Sequence, residues 1–268
     1  MVAEQRRELE IKVAQRTSEL GQRNRQLEDL NTELRNASLT DSLTRLYNRR
    51  YLHQFIHSHL ASVERETREK RQAQGADFSR YQQSVLFFMM IDLDGFKLIN
   101  DTHGHNAGDR ALVQVRDRLV ECSRKSDTIF RWGGDEFLVV GRTLGISGIT
   151  NCAERVRMAV MERSYDVGGG HSAELTCSIG AVPYPFAPLR PELLDLEQTL
   201  SVADYAAYLV KTNGRNGWIT LYGSSTIEAF DTQNIPTSAE QLLADGKLSF
   251  ATSVAHELVF DSGKQHVA

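Results

Sequence analysis

Three acidic positions stand where a chain built only for stability has little use for them. Asp92 closes the apolar run Val85–Ile91, and Asp135 and Glu136 follow Gly133-Gly134 inside TIFRWGGDEFLVVG, residues 128–141. Acidic side chains are poor strand formers and costly to bury. If the two segments pair, the three carboxylates converge at one sheet edge and repel one another. A hard divalent cation removes that repulsion, and Mg²⁺ takes a few carboxylates together with substrate phosphates. The chemistry is then metal-assisted phosphoryl or nucleotidyl transfer. The plainer alternative is a solvated hairpin tip carrying incidental acids. Gly133-Gly134 itself is expected to be a two-residue hairpin turn, both residues at positive φ, and glycine also lets a ligand approach the backbone.

Cations and amides lie near these acids. In DGFKLINDTHGHNAGD, Lys97 falls five residues after Asp92, within reach of phosphates bound at the strand end. Asn100 and Asp109 offer an amide and a carboxylate, and a carboxylate can accept two N–H bonds from a guanine edge. His103 and His105 lack a Cys or Glu at zinc-ligand spacing and are read as structural or turn histidines. Lys211 and Arg215 flank Asn213-Gly214 and form a second cationic pair suited to β- and γ-phosphates; ordinary surface charge is the alternative.

The elements that must position these residues alternate between helix and strand. A helix is expected to start at ASLTDSL, capped by Thr40 or Asp41, and to run into a charged, solvated end at VERETREKRQAQG. Val85–Ile91 reads as a central strand buried on both faces. A helix over Asn106–Cys122, the glycine hairpin and a helix near Ile149–Met161 follow. A glycine-rich turn at Gly168–Gly170 leads to a strand around Glu174–Val182, then a helix over Leu193–Val210 and a last strand at WITLY. This order predicts an α/β or α+β sandwich with helices packed on the sheet; the α+β form is the expectation adopted. Residues 224–268 break the rhythm, with one short helical candidate, Ser238–Ala244, in an otherwise polar extension of unassigned role.

Residues 1–39 differ in kind. Val13, Leu20, Leu27 and Leu34 recur every seven residues, with Thr17, Asn24, Asn31 and Ser38 at the other seam position. Leu at d with Asn at a favours a parallel two-stranded coiled coil and pins its register, so a dimer-forming helix is expected; a single solvated amphipathic helix is the alternative. The 268-residue chain carries a net charge of −4, which gives no electrostatic case for nucleic acid or an anionic membrane. Three cysteines, Cys122, Cys152 and Cys177, at irregular spacing read as reduced core residues. No apolar run reaches the roughly 18–20 residues needed to span a bilayer, and no signal peptide is expected from the first residues given. A cytoplasmic protein is expected, or the cytoplasmic part of a membrane-bound receptor whose sensor lies upstream.

Six blocks occur in order between Asp41 and about Tyr222: DSLTRLYNRRYL, DLDGFKLINDTHGHNAGD, RWGGDEF, AERVR, SIGAV and ADYAAYLVKTNGRN. Together they resemble the GGDEF-domain diguanylate cyclases, which make cyclic di-GMP from two GTP. The resemblance implies a catalytic domain over 40–223, with a mostly antiparallel central sheet like the palm of nucleotidyl cyclases. It implies Mg²⁺ (or Mn²⁺), two ions per half-site, on Asp92, the Leu93 carbonyl and Asp135, with Glu136 as further ligand or base. Guanine would be read by Asn100 and Asp109, and phosphates met by Lys97, Lys211, Arg215 and the backbone at Gly95 and Phe96, with Gly134 close to the nucleotide. Relatives that make adenine-containing dinucleotides carry Ser at the position of Asp109, so the aspartate implies guanine on both halves. The R-x-x-D of Arg124–Asp127 resembles the family's inhibitory product site, where arginine captures phosphate or guanine. Arg155 matches the secondary arginine that the family supplies from a neighbouring domain. A homodimer acting on GTP, with cyclic di-GMP as product and inhibitor, is the expectation; a non-catalytic nucleotide sensor is the alternative.

Overall fold

The computed structural model describes residues 15–17, 20–23, 25, 39–74, 84–255 and 258–259. Val13, Asn24, Leu27, Asn31, Leu34 and Ser38 of the heptad pattern lie outside the described residues. Thr17 and Leu20 are helical, and Leu20 is 61% exposed. No helix among the described residues is long and apolar enough to cross a membrane.

The chain enters the sheet through a two-residue strand β1 (Tyr47–Asn48). Helix α1 (Arg49–Gln74) follows. Its cap differs from expectation: the Asn48 side chain accepts the N–H groups of Arg50 at 3.0 Å and Tyr51 at 3.3 Å. Thr40 instead forms an isolated bridge with Tyr47, and Asp41 accepts from the N–H and hydroxyl of Thr44, both at 2.7 Å. The charged stretch after Val63 continues the helix to Gln74 because it contains no Pro or Gly to stop it.

Strand β2 (Ser84–Asp94) is the expected central strand, buried from Val85 to Leu93. Two helices come next where one was expected, α2 (Phe96–His103) and α3 (His105–Cys122), divided at Gly104, whose φ of 84° a helix cannot accommodate. Strands β3 (Thr128–Arg131) and β4 (Glu136–Leu144) form the hairpin. Helix α4 (Gly145–Met161) leads to a small separate hairpin, β5 (Tyr165–Gly168) and β6 (His171–Ala173), turned by three glycines at positive φ. Strand β7 (Thr176–Tyr184), helix α5 (Leu196–Thr212) and strand β8 (Gly217–Gly223) complete the expected series. Helix α5 starts at a reciprocal cap: Asp195 accepts the Gln198 N–H at 2.8 Å while the Gln198 side chain accepts the Asp195 N–H at 2.9 Å.

The segment after Gly223 is more ordered than a polar extension. Helix α6 (Ile235–Ala244) covers the expected helical stretch, and β9 (Leu248–Thr252) pairs antiparallel with β8. The sheet order is β1-β3-β4-β2-β7-β8-β9, parallel only at β1/β3 and β7/β8. It is therefore mostly antiparallel.

Side chains alternate between the sheet's two faces. Leu86, Phe88 and Met90 enter a core shared with α1 and α5, whereas Phe87, Met89 and Ile91 enter one shared with α2, α3 and α4. Helix α5 lies close on β7 because Gly180 has no side chain: a Cβ there would sit 2.0 Å from the Ala203 carbonyl oxygen and 2.3 Å from the Ala207 nitrogen. That close approach governs where the end of α5 meets the end of β2.

Candidate active site

The alternation along β2 continues past its apolar part. Asp92 and Asp94 emerge on the α5 face, where Met90 precedes them. Asp92 is in direct register with Glu136 of β4, so the two carboxylates share that face. The Leu93 N–H donates to the Asp135 carbonyl at 3.2 Å, bringing Asp135 to the same end of the sheet. Leu93 keeps its side chain in the core, so only its backbone can serve a ligand. From the last turn of α5, Lys211 Nζ donates to Asp92 Oδ2 at 2.5 Å.

Burial pushes the Asp92 carboxyl above its ordinary range; Lys211 opposes this, and Asp135 and Asp94 add to it. Glu136 is pushed up by burial, then by Asp92, Asp204 and Asp135, again against Lys211. The acids thus feel one another across the strand ends. They do not make a finished cage: among the described residues no three His, Cys, Asp or Glu side chains are grouped to hold a metal ion. The fit to Mg²⁺ rests on the donor set. All the groups are oxygens, they are partly desolvated and mutually repelling, and Mg²⁺ keeps coordination positions for water and phosphate rather than needing an all-protein cage.

The hairpin tip corrects one expectation. Neither Gly133 nor Gly134 has a positive φ. The turn spans Trp132 to Asp135 and closes through the N–H groups of Trp132 and Gly133, which donate to the Glu136 carbonyl at 2.8 and 3.3 Å. Of the two, Gly133 is constrained by space. A Cβ on Gly133 would lie 2.6 Å from Glu136 Oε2, while Gly134 faces open space. Arg131 braces the tip, donating to Gly134 O at 2.9 Å and to both Asp41 oxygens at 3.0 and 3.1 Å.

The residues of the second group gather from α2 and α3. Gly95, with φ of 78°, turns the chain out of β2 into α2. Phe96 is buried in the core and can offer only backbone, whereas Lys97 is exposed. Asn100 lies across Gly108 of α3: a Cβ there would meet Asn100 Oδ1 at 2.0 Å. Asp109, the next residue, is exposed beside it. Gly108 was missed from sequence, although a glycine inside a helix costs about 1 kcal/mol against alanine and was the available signal. His103 and His105 are both exposed, His103 with its ring 5.7 Å from that of His171.

Asp94 was also missed. It accepts from Thr176 Oγ1 and Ser178 Oγ, both at 2.8 Å, and from the Asn216 N–H at 3.1 Å. It therefore ties down the turn that carries exposed Arg215. That turn is strained, with Gly214, Arg215 and Asn216 at φ of 102°, 61° and 46°.

Arg124, Asp127 and Arg155 come together elsewhere, at the other end of β3. The Asp127 carboxylate accepts the Arg124 N–H at 2.9 Å, and the Asp127 N–H donates to Arg124 O at 2.9 Å. Asp127 Oδ1 is buried without a hydrogen-bond partner. Arg155 Nε donates to Cys122 O at 2.6 Å. All three line a small, open cleft with Arg142, Thr143 and Cys152. Arg155 thus shares a cleft with Arg124 of its own chain. Four residues of β3 separate this cleft from the hairpin tip, roughly 13 Å of strand.

The sequence and the fold both have relatives among known proteins. The family model described as "Diguanylate cyclase, GGDEF domain" matches residues 38–217. Diguanylate cyclase A of Treponema denticola is 36% identical over 191 residues, 69% of this chain and 45% of that protein. Diguanylate cyclase DosC of Escherichia coli is 36% identical over 176 residues, 66% of this chain and 34% of that one. The chain thus spans between a third and a half of the length of these curated relatives. Among solved structures, the diguanylate cyclase SiaD of Pseudomonas aeruginosa, in complex with its activator SiaC, superposes with a TM-score of 0.52 at 31% identity, over 79% of this chain and 73% of that one. The coiled coil and GGDEF domain of DgcB from Caulobacter crescentus shares the fold, with a TM-score of 0.58 at 23% identity over 78% and 96% of the two chains. By its matched residues and its fold, the chain belongs to the GGDEF-domain diguanylate cyclase family.

Proposed function

We propose that two copies of this chain condense two GTP molecules into cyclic di-GMP and release two pyrophosphates. The observation that carries this is the meeting of Asp92, Glu136 and Lys211 at one sheet end, with Asn100 and Asp109 on the adjoining helices. Asp92, Asp135, the Leu93 carbonyl and Glu136 would hold Mg²⁺ or Mn²⁺, two ions per half-site. When bound, the metal supplies charge neutralisation at the triphosphate and lowers the pKa of a coordinated hydroxyl.

The protein's own groups do the rest. Lys97, Lys211 and Arg215 take up phosphate charge, and the backbone at Gly95 and Phe96 approaches the phosphates closely. Asn100 and Asp109 orient guanine, and Gly134 leaves room for the nucleotide. Glu136, its carboxyl raised by burial, is matched to accept the 3′-hydroxyl proton. The 3′ oxygen of one GTP bonds to the α-phosphorus of the other as the bond to pyrophosphate breaks. One site holds only one nucleotide, so two domains face each other antiparallel. A parallel coil through residues 1–39 raises their effective concentration, and the exposure of Leu20 is consistent with a partner helix. Arg124, Asp127 and Arg155 bind cyclic di-GMP as inhibitor.

The test is incubation with GTP and Mg²⁺ across a range of protein concentrations, with the nucleotides resolved chromatographically. Cyclic di-GMP should form, with specific activity rising with concentration. GTP returned unchanged would overturn the reading in favour of a nucleotide sensor.

A further inference from the structure

The chain beyond the family match returns to the site. Strand β9 runs antiparallel back along β8, from Leu248 opposite Gly223 to Thr252 opposite Ile219. The pairing continues past the strand: Ser253 N–H donates to Trp218 O at 3.1 Å, and Trp218 N–H donates to Ser253 Oγ at 2.9 Å. Further on, Leu258 packs against the α5-side core. At Val259 the main chain meets the Asn213 side chain twice. Val259 N–H donates to Asn213 Oδ1 at 2.8 Å, and Asn213 Nδ2 donates to Val259 O at 3.1 Å.

Asn213 lies between Lys211 and Arg215. It is 3% exposed, and Nδ2 also donates to Leu209 O at 2.9 Å. Three consecutive residues after it hold positive φ, two of them not glycine. Such a turn persists only where its surroundings over-determine it. On one side Asp94 holds the Asn216 N–H; on the other, Val259 holds Asn213.

We propose that the main chain at Val259 is a positioning element for the Lys211–Arg215 turn, acting through the Asn213 side chain to hold both cations toward the GTP phosphates. The phosphate role of those cations rests on the function proposed above. The catalytic domain is thereby completed by a segment beyond the family match, which ends at residue 217.

The Val259 side chain is 66% exposed, so its backbone can be tested alone in the full chain. Val259→Pro removes the N–H donor, whereas Val259→Ala keeps it and serves as control. Three readouts apply: KM and kcat for GTP, equilibrium binding of a non-hydrolysable GTP analogue, and amide exchange of the Gly214–Asn216 turn. For Val259→Pro we expect KM and the analogue's dissociation constant to rise about fivefold, the worth of one ordinary hydrogen bond. A lower kcat, because Lys211 also serves turnover, and faster exchange at the turn should accompany this. Asn213→Ala should act in the same direction, and adding Val259→Pro to it should cost nothing more. If Val259→Pro matches Val259→Ala in exchange and in nucleotide affinity, the positioning role is overturned while the proposed activity stands. Faster exchange without weaker binding also overturns it. A parent that binds the analogue without turnover refutes the proposed activity and leaves the positioning role to be decided by binding and exchange. A parent that does neither overturns both.

Discussion

Lys211 and Asp92, 119 residues apart in sequence, meet through a hydrogen bond of 2.5 Å between the last turn of α5 and the end of β2. The contact holds a buried carboxylate in check beside two others. It also places a cation at the strand end, where the proposed function puts the triphosphate. With metal and GTP bound, Asp92 would serve the cation and Lys211 the phosphates.

Lys211→Met should therefore reduce turnover by roughly 10²-fold or more, the scale of losing one preorganised charge donor. Lys211→Arg keeps the charge but not the compact ammonium geometry, and should fall between parent and Met variant. Initial rates of pyrophosphate release check both. Equal rates for parent and Lys211→Met would detach this lysine from the chemistry.

Asp41 gives a pH signature separate from the metal site. Burial alone would raise its carboxyl, but hydrogen bonds from the Thr44 N–H and hydroxyl and the Arg131 guanidinium outweigh burial, leaving it below the ordinary aspartate range. A carboxyl with a lowered folded-state pKa stabilises the fold above its unfolded pKa, and the contribution is lost as pH falls through the folded value. Asp41→Asn should thus lower Tm by about 2–4 °C at pH 7. The gap to the parent should close as pH drops below about 4, where the parent loses the same charge. Thermal melts at several pH values decide; a gap constant with pH would mean the charge is irrelevant.

Gly108→Ala separates binding from stability. The added methyl meets Asn100 Oδ1, the far end of a movable side chain, and also lies 3.1 Å from Phe96. Asn100 should swing off the guanine position, raising KM for GTP about tenfold, the order expected for losing one or two base-edge hydrogen bonds. Tm should hold steady or rise slightly, since alanine favours the helix. A fall in Tm with unchanged KM would place Asn100 outside guanine recognition.

The acids that gather at the end of β2 were legible as candidates because no packing argument accounts for them. An acid closing a buried strand, or a lysine and an arginine around Asn-Gly, has no core role to hide behind. The apolar run before Asp92 made β2 plain for the opposite reason, since burial on both faces explains it fully. Glycine was harder, since it serves two ends: Gly133 and Gly134 read as conformational residues, yet neither holds a positive φ, and Gly133 is constrained instead by the Glu136 carboxylate. Asp94 was unreadable because its partners, Thr176, Ser178 and Asn216, become neighbours only through the β2–β7 register and the β8 turn. LSFAT failed to announce β9 because a five-residue edge strand with one buried residue carries almost no period.

Coil-dependent assembly can be read by dilution. Placing aspartate at Leu20 and Leu27 together puts like charges at two seam positions of the heptad pattern. Specific activity should fall at low protein concentration and recover as concentration rises, because mass action replaces the tether. Activity indifferent to both substitution and dilution would remove the coil from the mechanism.

Product feedback has the cleft at the base of the hairpin as its candidate seat, and the two arginines there should behave differently. Arg124 is exposed, so its guanidinium can capture phosphate or guanine directly. Arg155 is held by the Cys122 carbonyl and the Cys152 sulfur, which orients it toward the cleft in advance. Arg124→Ala should leave initial turnover near the parent's and abolish inhibition by added cyclic di-GMP, because the cleft lies a strand's length from the carboxylates. Arg155→Ala should weaken inhibition and also cost some stability, since it strips a donor from the Cys122 carbonyl, on the order of 1 kcal/mol. Inhibition curves for the two variants, with Tm measured alongside, test the division of labour. Undiminished inhibition in Arg124→Ala would move the product site away from this cleft.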